Sequence, residues 1–331
     1  MAAAAADAVA RPKIPKSEVE VTALGGLIIP RMVMGLWQVA DMERPGGVGF
    51  SADAAVADLA KYHGEGFDTF DMADHYGSAE ELMAQLSTNL HPTKGVQAFT
   101  KWCPKPGPQF ATAAAVDEAV QLSLKRMGRD RLDLMQLHTW DYLDGPGHYL
   151  TQLRHLAAHK QVDRVGVTNF DAAHLAIALS EGIPVVSNQI CFSLLDRRAS
   201  AAMSELCART GVRVLAFGVL AGGLLTDRWL DRPMPSEQDL AASWSLAKYR
   251  RFVESFGGWQ QLQKLLRALR TVADRHGVCI ANVATRWVLE QPAVAAVIVG
   301  LRPGHGVGHA DQNRASFGFS LTDEDKADID A

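Results

Sequence analysis

The chain lacks the marks of a disulfide-stapled, nucleic-acid-binding or membrane-spanning protein. Its four cysteines, Cys103, Cys191, Cys207 and Cys279, are scattered, with no C-x-x-C pair and no histidines at zinc-finger spacing. No disulfide framework and no metal site is therefore expected, and the thiols read as those of a reducing compartment. Charge of one sign is not in excess: 33 Lys and Arg face 37 Asp and Glu, a net charge of −4. Without a basic stripe, nucleic acid is not an expected partner. No apolar run approaches the ~18 residues needed to cross a bilayer, so no membrane association is expected. The alanine run near Met1 has no basic segment before it and is interrupted by Asp7, so it makes a poor secretory signal. Residues 1–18 read as a flexible leader, with organelle import as the alternative to a cytoplasmic location.

What the chain does have is 331 residues, 48% of them hydrophobic, enough for a large core. After the leader, a hairpin is expected around Gly25 and Gly26, because a tight turn needs positive φ. A single theme then repeats: a short apolar run, a polar or glycine-containing loop, and a segment with apolar residues at helical spacing. The runs are Met32–Leu36, Phe67–Ala73, Gln97–Cys103, Leu132–His138, Arg164–Asn169, Val185–Ile190, Val212–Gly218 and Val294–Gly300. Eight such units favour a parallel sheet closed into a (β/α)₈ TIM barrel over residues 19–331, a fold that takes about 250 residues and tolerates insertions; an open doubly wound sheet is the alternative. The spacing breaks once, where Leu220–Gly258 forms a long loop after strand 7, rich in aromatic residues and placed to cover a site.

Active sites of such barrels form where the strands end. Strand 2 ends in Asp71, with Tyr76 in the loop D-M-A-D-H-Y-G; strand 3 ends in Lys101 and strand 4 in His138. Singly, each has an ordinary reading as a turn cap, a solvated cation or a satisfied polar group. Converging from neighbouring strands, they make a proton donor. A buried lysine needs a carboxylate partner, and Asp71 is the obvious one. The ammonium would favour the phenolate and so lower the pKa of Tyr76 from about 10, while His138 would hydrogen-bond a substrate oxygen on which charge develops. Trp37, His75, Trp102 and Trp140 fall where the loops gather and are expected to line a largely apolar pocket. His155 and His159 share the i, i+4 spacing of a helical metal pair, but Leu156 stands where a zinc protease needs Glu, and a solvated face is the preferred reading.

These motifs resemble the aldo-keto reductases from about Leu24 to Asp330. F-D-T-F-D-M-A-D-H-Y-G is similar to the family's D-T-A-x-x-Y-G segment, F-T-K-W to its lysine strand, D-L-M-Q-L-H to its histidine strand and V-G-V-T-N-F to its S-N-F motif. The resemblance implies catalytic Asp71, Tyr76, Lys101 and His138, and a nicotinamide cofactor, NADP(H) ahead of NAD(H), with no Rossmann fold. By the same likeness Thr168, Asn169 and Gln189 would hold the carboxamide and Phe217 would stack on the ring. Gly218, Leu220 and Gly222 belong to a segment resembling the pyrophosphate loop, where glycine lets backbone approach phosphate. Gly300, Arg302, Gln312 and Asn313 belong to one resembling the adenosine loop, although Gly300–Asn313 is longer and richer in glycine than usual, and Thr168 and Phe217 replace the commoner serine and tyrosine or tryptophan. The implied activity is hydride transfer between nicotinamide and an aldehyde, ketone or matching alcohol; a cofactor-binding scaffold within a larger assembly is the alternative.

Overall fold

The computed structural model describes residues 18–40, 51–90, 95–139, 148–304 and 309–331. Residues 1–17 of the expected leader and Trp140 lie outside them.

Strands β1 (Val21–Leu24) and β2 (Leu27–Pro30) pair antiparallel, with Leu24 opposite Leu27. Gly25 and Gly26, at φ 54° and 82°, supply the two left-handed residues of the turn. The hairpin sits across the foot of the barrel: Leu24 and Ile29 are fully buried and cluster with Val33, Phe99, Leu134 and Leu215.

Eight strands then close into a parallel barrel: β3 (Met32–Gly35), β4 (Thr69–Asp71), β5 (Gln97–Trp102), β6 (Leu134–Leu137), β7 (Val165–Thr168), β8 (Val185–Cys191), β9 (Arg213–Phe217) and β10 (Val294–Gly300), with β10 pairing back onto β3. This is the (β/α)₈ architecture. The helices that follow the early strands are α1 (Ala52–Gly64), α2 (Ala79–Asn89), α3 (Ala113–Met127), α4 (His148–Ala158), α5 (Ala172–Ser180) and α6 (Ala202–Thr210). After β9 come α7 (Glu237–Ala241), α8 (Trp244–Phe256), α9 (Trp259–His276) and α10 (Ile280–Leu289), and after β10 come α11 (Ala310–Arg314) and α12 (Asp323–Asp330).

The long connection expected at Leu220–Gly258 is present, but much of it is helix rather than loop. Ser243 caps α8 by accepting from the Leu246 amide at 3.2 Å, and Leu246, Tyr249 and Val253 are buried at helical spacing.

Strand pleating decides what faces the barrel interior, because alternate residues point to opposite sides. Along β5 the interior changes from Phe99 to Lys101. Along β6 it changes from Leu134 to Gln136 and then His138, and along β9 it runs from Leu215 to Phe217. An apolar floor thus gives way to a polar layer at the end where the strands stop.

Candidate active site

The polar layer is tied together at Asp71. Its Oδ2 accepts from Lys101 Nζ at 2.6 Å, and its Oδ1 accepts from Gln189 Nε2 at 2.7 Å and Gln136 Nε2 at 3.2 Å. Lys101 Nζ also donates to the Met72 carbonyl at 2.8 Å and reaches Tyr76 Oη at 3.3 Å. Lys101 is 1% and Asp71 3% exposed. Burial opposes the ammonium's charge, but Asp71 and Tyr76 more than offset it and hold the lysine pKa above its ordinary value.

The phenol does not follow the sequence expectation. Burial raises the Tyr76 pKa more than Lys101 lowers it, and Asp71 adds to the rise, so the net direction is upward. Desolvating a phenolate outweighs one ammonium that already shares its charge with a carboxylate. Tyr76 therefore keeps its proton firmly.

The loop that carries Tyr76 is pinned from several sides. The Asp74 amide donates to the Lys101 carbonyl at 3.0 Å, and the Asp74 carboxylate accepts from the Cys103 amide at 2.9 Å. Arg126 of α3 donates to the Asp74 carbonyl at 2.9 Å and to Glu80 at 3.1 Å, while Thr100 donates to the other Glu80 oxygen at 2.6 Å. His138 lies at the end of β6, where burial first, and then Lys101 and His75, push its pKa down to about 3. It is a neutral imidazole at ordinary pH.

Among the expected pocket residues, Trp37 stands edge-on to Tyr76 with ring centroids 5.0 Å apart. His75, paired with Asp74 at 2.7 Å, meets Tyr76 at 4.9 Å and His138 at 5.9 Å. Trp102 follows Lys101 at the end of β5 and is buried in the same apolar cluster as Tyr76.

Thr168 and Gln189 are register partners on β7 and β8, and Cys191 and Phe217 on β8 and β9. The Thr168 hydroxyl is buried without a hydrogen-bond partner among the described residues. Asn169, at φ 61°, turns the chain at the strand end. An unsatisfied buried hydroxyl fits a polar ligand group such as a nicotinamide carboxamide. Gln189, by contrast, already spends its amide on Asp71 and Gln136.

Gly218 and Gly222 have positive φ, 71° and 66°, and their open sides face α8. A Cβ at Gly222 would lie 2.9 Å from the Tyr249 ring and 3.0 Å from the Ser245 carbonyl. Here the glycines admit a helix, a role that the phosphate-loop reading did not include. Leu220, between them, is half-buried. Gly300 ends β10 against the Gln38 side chain, and Arg302 is exposed just beyond. Gln312 is engaged inward with Cys279 at 3.0 Å and His309 at 2.8 Å, and the Asn313 amide donates to the His309 carbonyl at 2.7 Å.

Sequence reasoning missed Gln136 and the inner face of α8. Gln136 had a signal: it stands two residues before His138 in an apolar strand, hence on the same side. From α8, Trp244 meets Trp37 at a tilt, with ring centroids 5.1 Å apart, and Lys248 lies over the Phe217 ring at 5.0 Å. Its register was hidden by reading the segment as loop.

The strand ends of a parallel eight-stranded barrel thus assemble a buried Asp-Lys-Tyr group close to a neutral histidine. The comparisons agree on the family. The model of the aldo/keto reductase family matches residues 31–331, and the chain belongs to that family of oxidoreductases, which generally use nicotinamide cofactors. Aldo-keto reductase YhdN of Bacillus subtilis is 24% identical over 313 residues, covering 92% of this chain and 90% of that one. Flagellar radial spoke protein 5 of Chlamydomonas reinhardtii is 33% identical over 180 residues, 48% of this chain but only 33% of that protein. The solved glycerol dehydrogenase of Gluconobacter oxydans shares the fold with a TM-score of 0.76 at 22% identity, covering 94% of each chain. Among the described residues no helix is long and apolar enough to cross a membrane.

Proposed function

We propose that this chain is an NADP(H)-dependent carbonyl reductase, or the matching alcohol dehydrogenase, in which Tyr76 exchanges a proton with the substrate oxygen. The observation that carries the reading is the buried chain of contacts from Asp71 through Lys101, 2.6 Å, to Tyr76, 3.3 Å. When bound, the nicotinamide supplies or accepts the hydride at the carbonyl carbon. Tyr76 holds the proton to be delivered, Lys101 fixes the orientation of its hydroxyl, and Asp71 keeps Lys101 charged. His138, neutral, hydrogen-bonds the same oxygen, and Trp37 and His75 wall the substrate. Thr168, Asn169, Gln189 and Phe217 would hold the nicotinamide, and Gly218, Leu220 and Gly222 the pyrophosphate. Gly300, Arg302, Gln312 and Asn313 would take the adenosine end. Arg302 favours NADP(H), since a guanidinium binds a 2′-phosphate bidentately. The proposed setting is cytoplasmic.

Turnover of 4-nitrobenzaldehyde with NADPH and with NADH, followed at 340 nm, tests the reading. General acid catalysis contributes about 10²–10⁴-fold, so Tyr76→Phe should lose at least a hundredfold in kcat; unchanged turnover in that variant sinks the assignment. The scaffold alternative is not favoured. A docking subunit has no use for a buried ion pair beside a phenol, an arrangement that is expensive to desolvate.

A further inference from the structure

The carboxylate at the centre of the polar layer has a second set of contacts, on the side away from the proton donor. Asp71 gives Oδ2 to Lys101 at 2.6 Å and Oδ1 to two side-chain amides, Gln189 Nε2 at 2.7 Å and Gln136 Nε2 at 3.2 Å. The two glutamines also meet each other, Gln189 Nε2 donating to Gln136 Oε1 at 3.1 Å. Gln136 is fully buried and Gln189 is 4% exposed. Strands β4, β6 and β8 thus contribute one side chain each to a closed triangle.

Charge dictates the polarity of that triangle. A carboxylate paired with an ammonium can only accept, so each glutamine turns its NH₂ to Asp71. Gln136 then has its oxygen for Gln189. A side-chain amide carries two hydrogens; Gln189 spends one on Asp71 and the other on Gln136, and what it offers beyond the triangle is an acceptor, Oε1. Strand β7 keeps Gln136 in place. Gly166 is its register partner, and a Cβ there would lie 3.0 Å from Gln136 Cγ and 2.5 Å from Ser187 Oγ. Thr168, the register partner of Gln189, has the buried hydroxyl without a hydrogen-bond partner among the described residues. A hydroxyl able to donate and a glutamine oxygen able only to accept stand on adjacent strands, the complement of a primary amide.

We propose that Gln136 is a positioning residue: by taking the second amide hydrogen of Gln189 it restricts Gln189 to accepting, and so selects a ligand that carries an N–H donor beside a carbonyl. The proposal rests on the reading that a nicotinamide is held at Thr168 and Gln189, and it adds a residue that acts through Gln189 without touching the ligand. Methionine at position 136 frees that hydrogen, and Gln189 can then donate to a carbonyl oxygen as well as accept from an amide.

The ligands that test this are NADP⁺ and 3-acetylpyridine adenine dinucleotide phosphate, which keeps the ring carbonyl and replaces the NH₂ by a methyl group; the corresponding NAD⁺ pair is run alongside. Dissociation constants are measured by tryptophan fluorescence and calorimetry on the full chain as wild type, Gln136→Met, Gln189→Met and the double variant, each checked for native circular dichroism. The wild type should bind the carboxamide about tenfold more tightly than the acetyl compound, and Gln136→Met should shrink that ratio to about twofold. Gln189→Met should lose the ratio as well, and the double variant should lose no more than Gln189→Met does, because Gln136 acts through Gln189. A loosened fold would weaken both ligands alike and leave the ratio standing. A wild type that binds the two compounds equally, or a Gln136→Met variant with the wild-type ratio, overturns the proposal. If Gln136→Met does not fold, Gly166→Ala, which crowds Gln136 and leaves its amide intact, should lower the ratio in its place, and an unchanged ratio there overturns the proposal equally. Failure to bind any of these nucleotides sinks the nicotinamide reading and the proposal with it, whereas a selective wild type that reduces no aldehyde sinks the reductase reading alone.

Discussion

Removing one member of the Asp71–Lys101 pair should damage the protein more than removing both. The two side chains are 3% and 1% exposed and meet at 2.6 Å, so each single deletion strands a charge in the barrel. Breaking a buried pair in this way costs about 3–5 kcal/mol, whereas replacing both partners by apolar groups of similar size is often neutral or stabilising. The singles should differ. In Lys101→Met the carboxylate keeps the amides of Gln189 at 2.7 Å and Gln136 at 3.2 Å, which places this variant near the lower end, about 3 kcal/mol. In Asp71→Leu the ammonium keeps the Met72 carbonyl at 2.8 Å and the Tyr76 hydroxyl at 3.3 Å, no counter-charge, and a loss near 5 kcal/mol. The double variant should recover at least 2 kcal/mol relative to Asp71→Leu. Urea melts followed by tryptophan fluorescence give the four stabilities, and turnover of 4-nitrobenzaldehyde gives the four activities. All three variants should be catalytically crippled even where stability returns. Losses that simply add would refute the buried-pair argument, and wild-type turnover in the double variant would refute the role of the pair in catalysis.

Three further expectations follow from single contacts. Gly222→Ala places a Cβ 2.9 Å from the Tyr249 ring at φ 66°, so it should destabilise by about 1–3 kcal/mol and loosen α8; proteolysis no faster within 237–257 than in the wild type would count against it. His138, with its pKa pushed down to about 3 by burial, is neutral in the folded state and protonated in the unfolded chain below about pH 6.5. Its contribution is therefore fully present above that pH and is lost as pH falls towards 3, by up to about 1.4 kcal/mol per unit; His138→Gln should flatten the stability profile between pH 4 and 6. Arg126→Met removes the donor to the Asp74 carbonyl and leaves buried Glu80 with Thr100 alone, so it should lower stability by about 3 kcal/mol and reduce kcat, with NADP⁺ affinity as the unaffected control.

The barrel was legible because each strand announces itself locally, as a short apolar run, and three of them carry a polar or charged residue at or near the end. Asp71, Lys101 and His138 were legible for the same reason, since a charged or polar side chain at the end of an apolar strand is costly to bury unless a partner or a ligand meets it. Two kinds of information were not. The side of a strand to which a residue points depends on register. Gln136, which alternation places with His138, was passed over. The second kind is balance between opposed effects. Lys101 does lower the Tyr76 pKa, as its identity suggests, but burial raises it further, and the depth of burial is a property of the closed barrel and not of the motif. Likewise the glycines of the Phe217–Thr226 segment signalled close approach, and what approaches in the chain itself is α8.

That raised phenol pKa has a directional consequence. A proton donor must be protonated before the reaction, and a proton acceptor must not. With its pKa held above about 10, Tyr76 is fully protonated through neutrality. Under the proposed assignment, carbonyl reduction should be independent of pH between about 6 and 9 as far as Tyr76 is concerned, and should decline only in alkali. Alcohol oxidation draws on the phenolate, so its rate should rise roughly tenfold per pH unit over the same range. An oxidation rate flat from pH 6 to 9 would mean that the titrating group is not Tyr76.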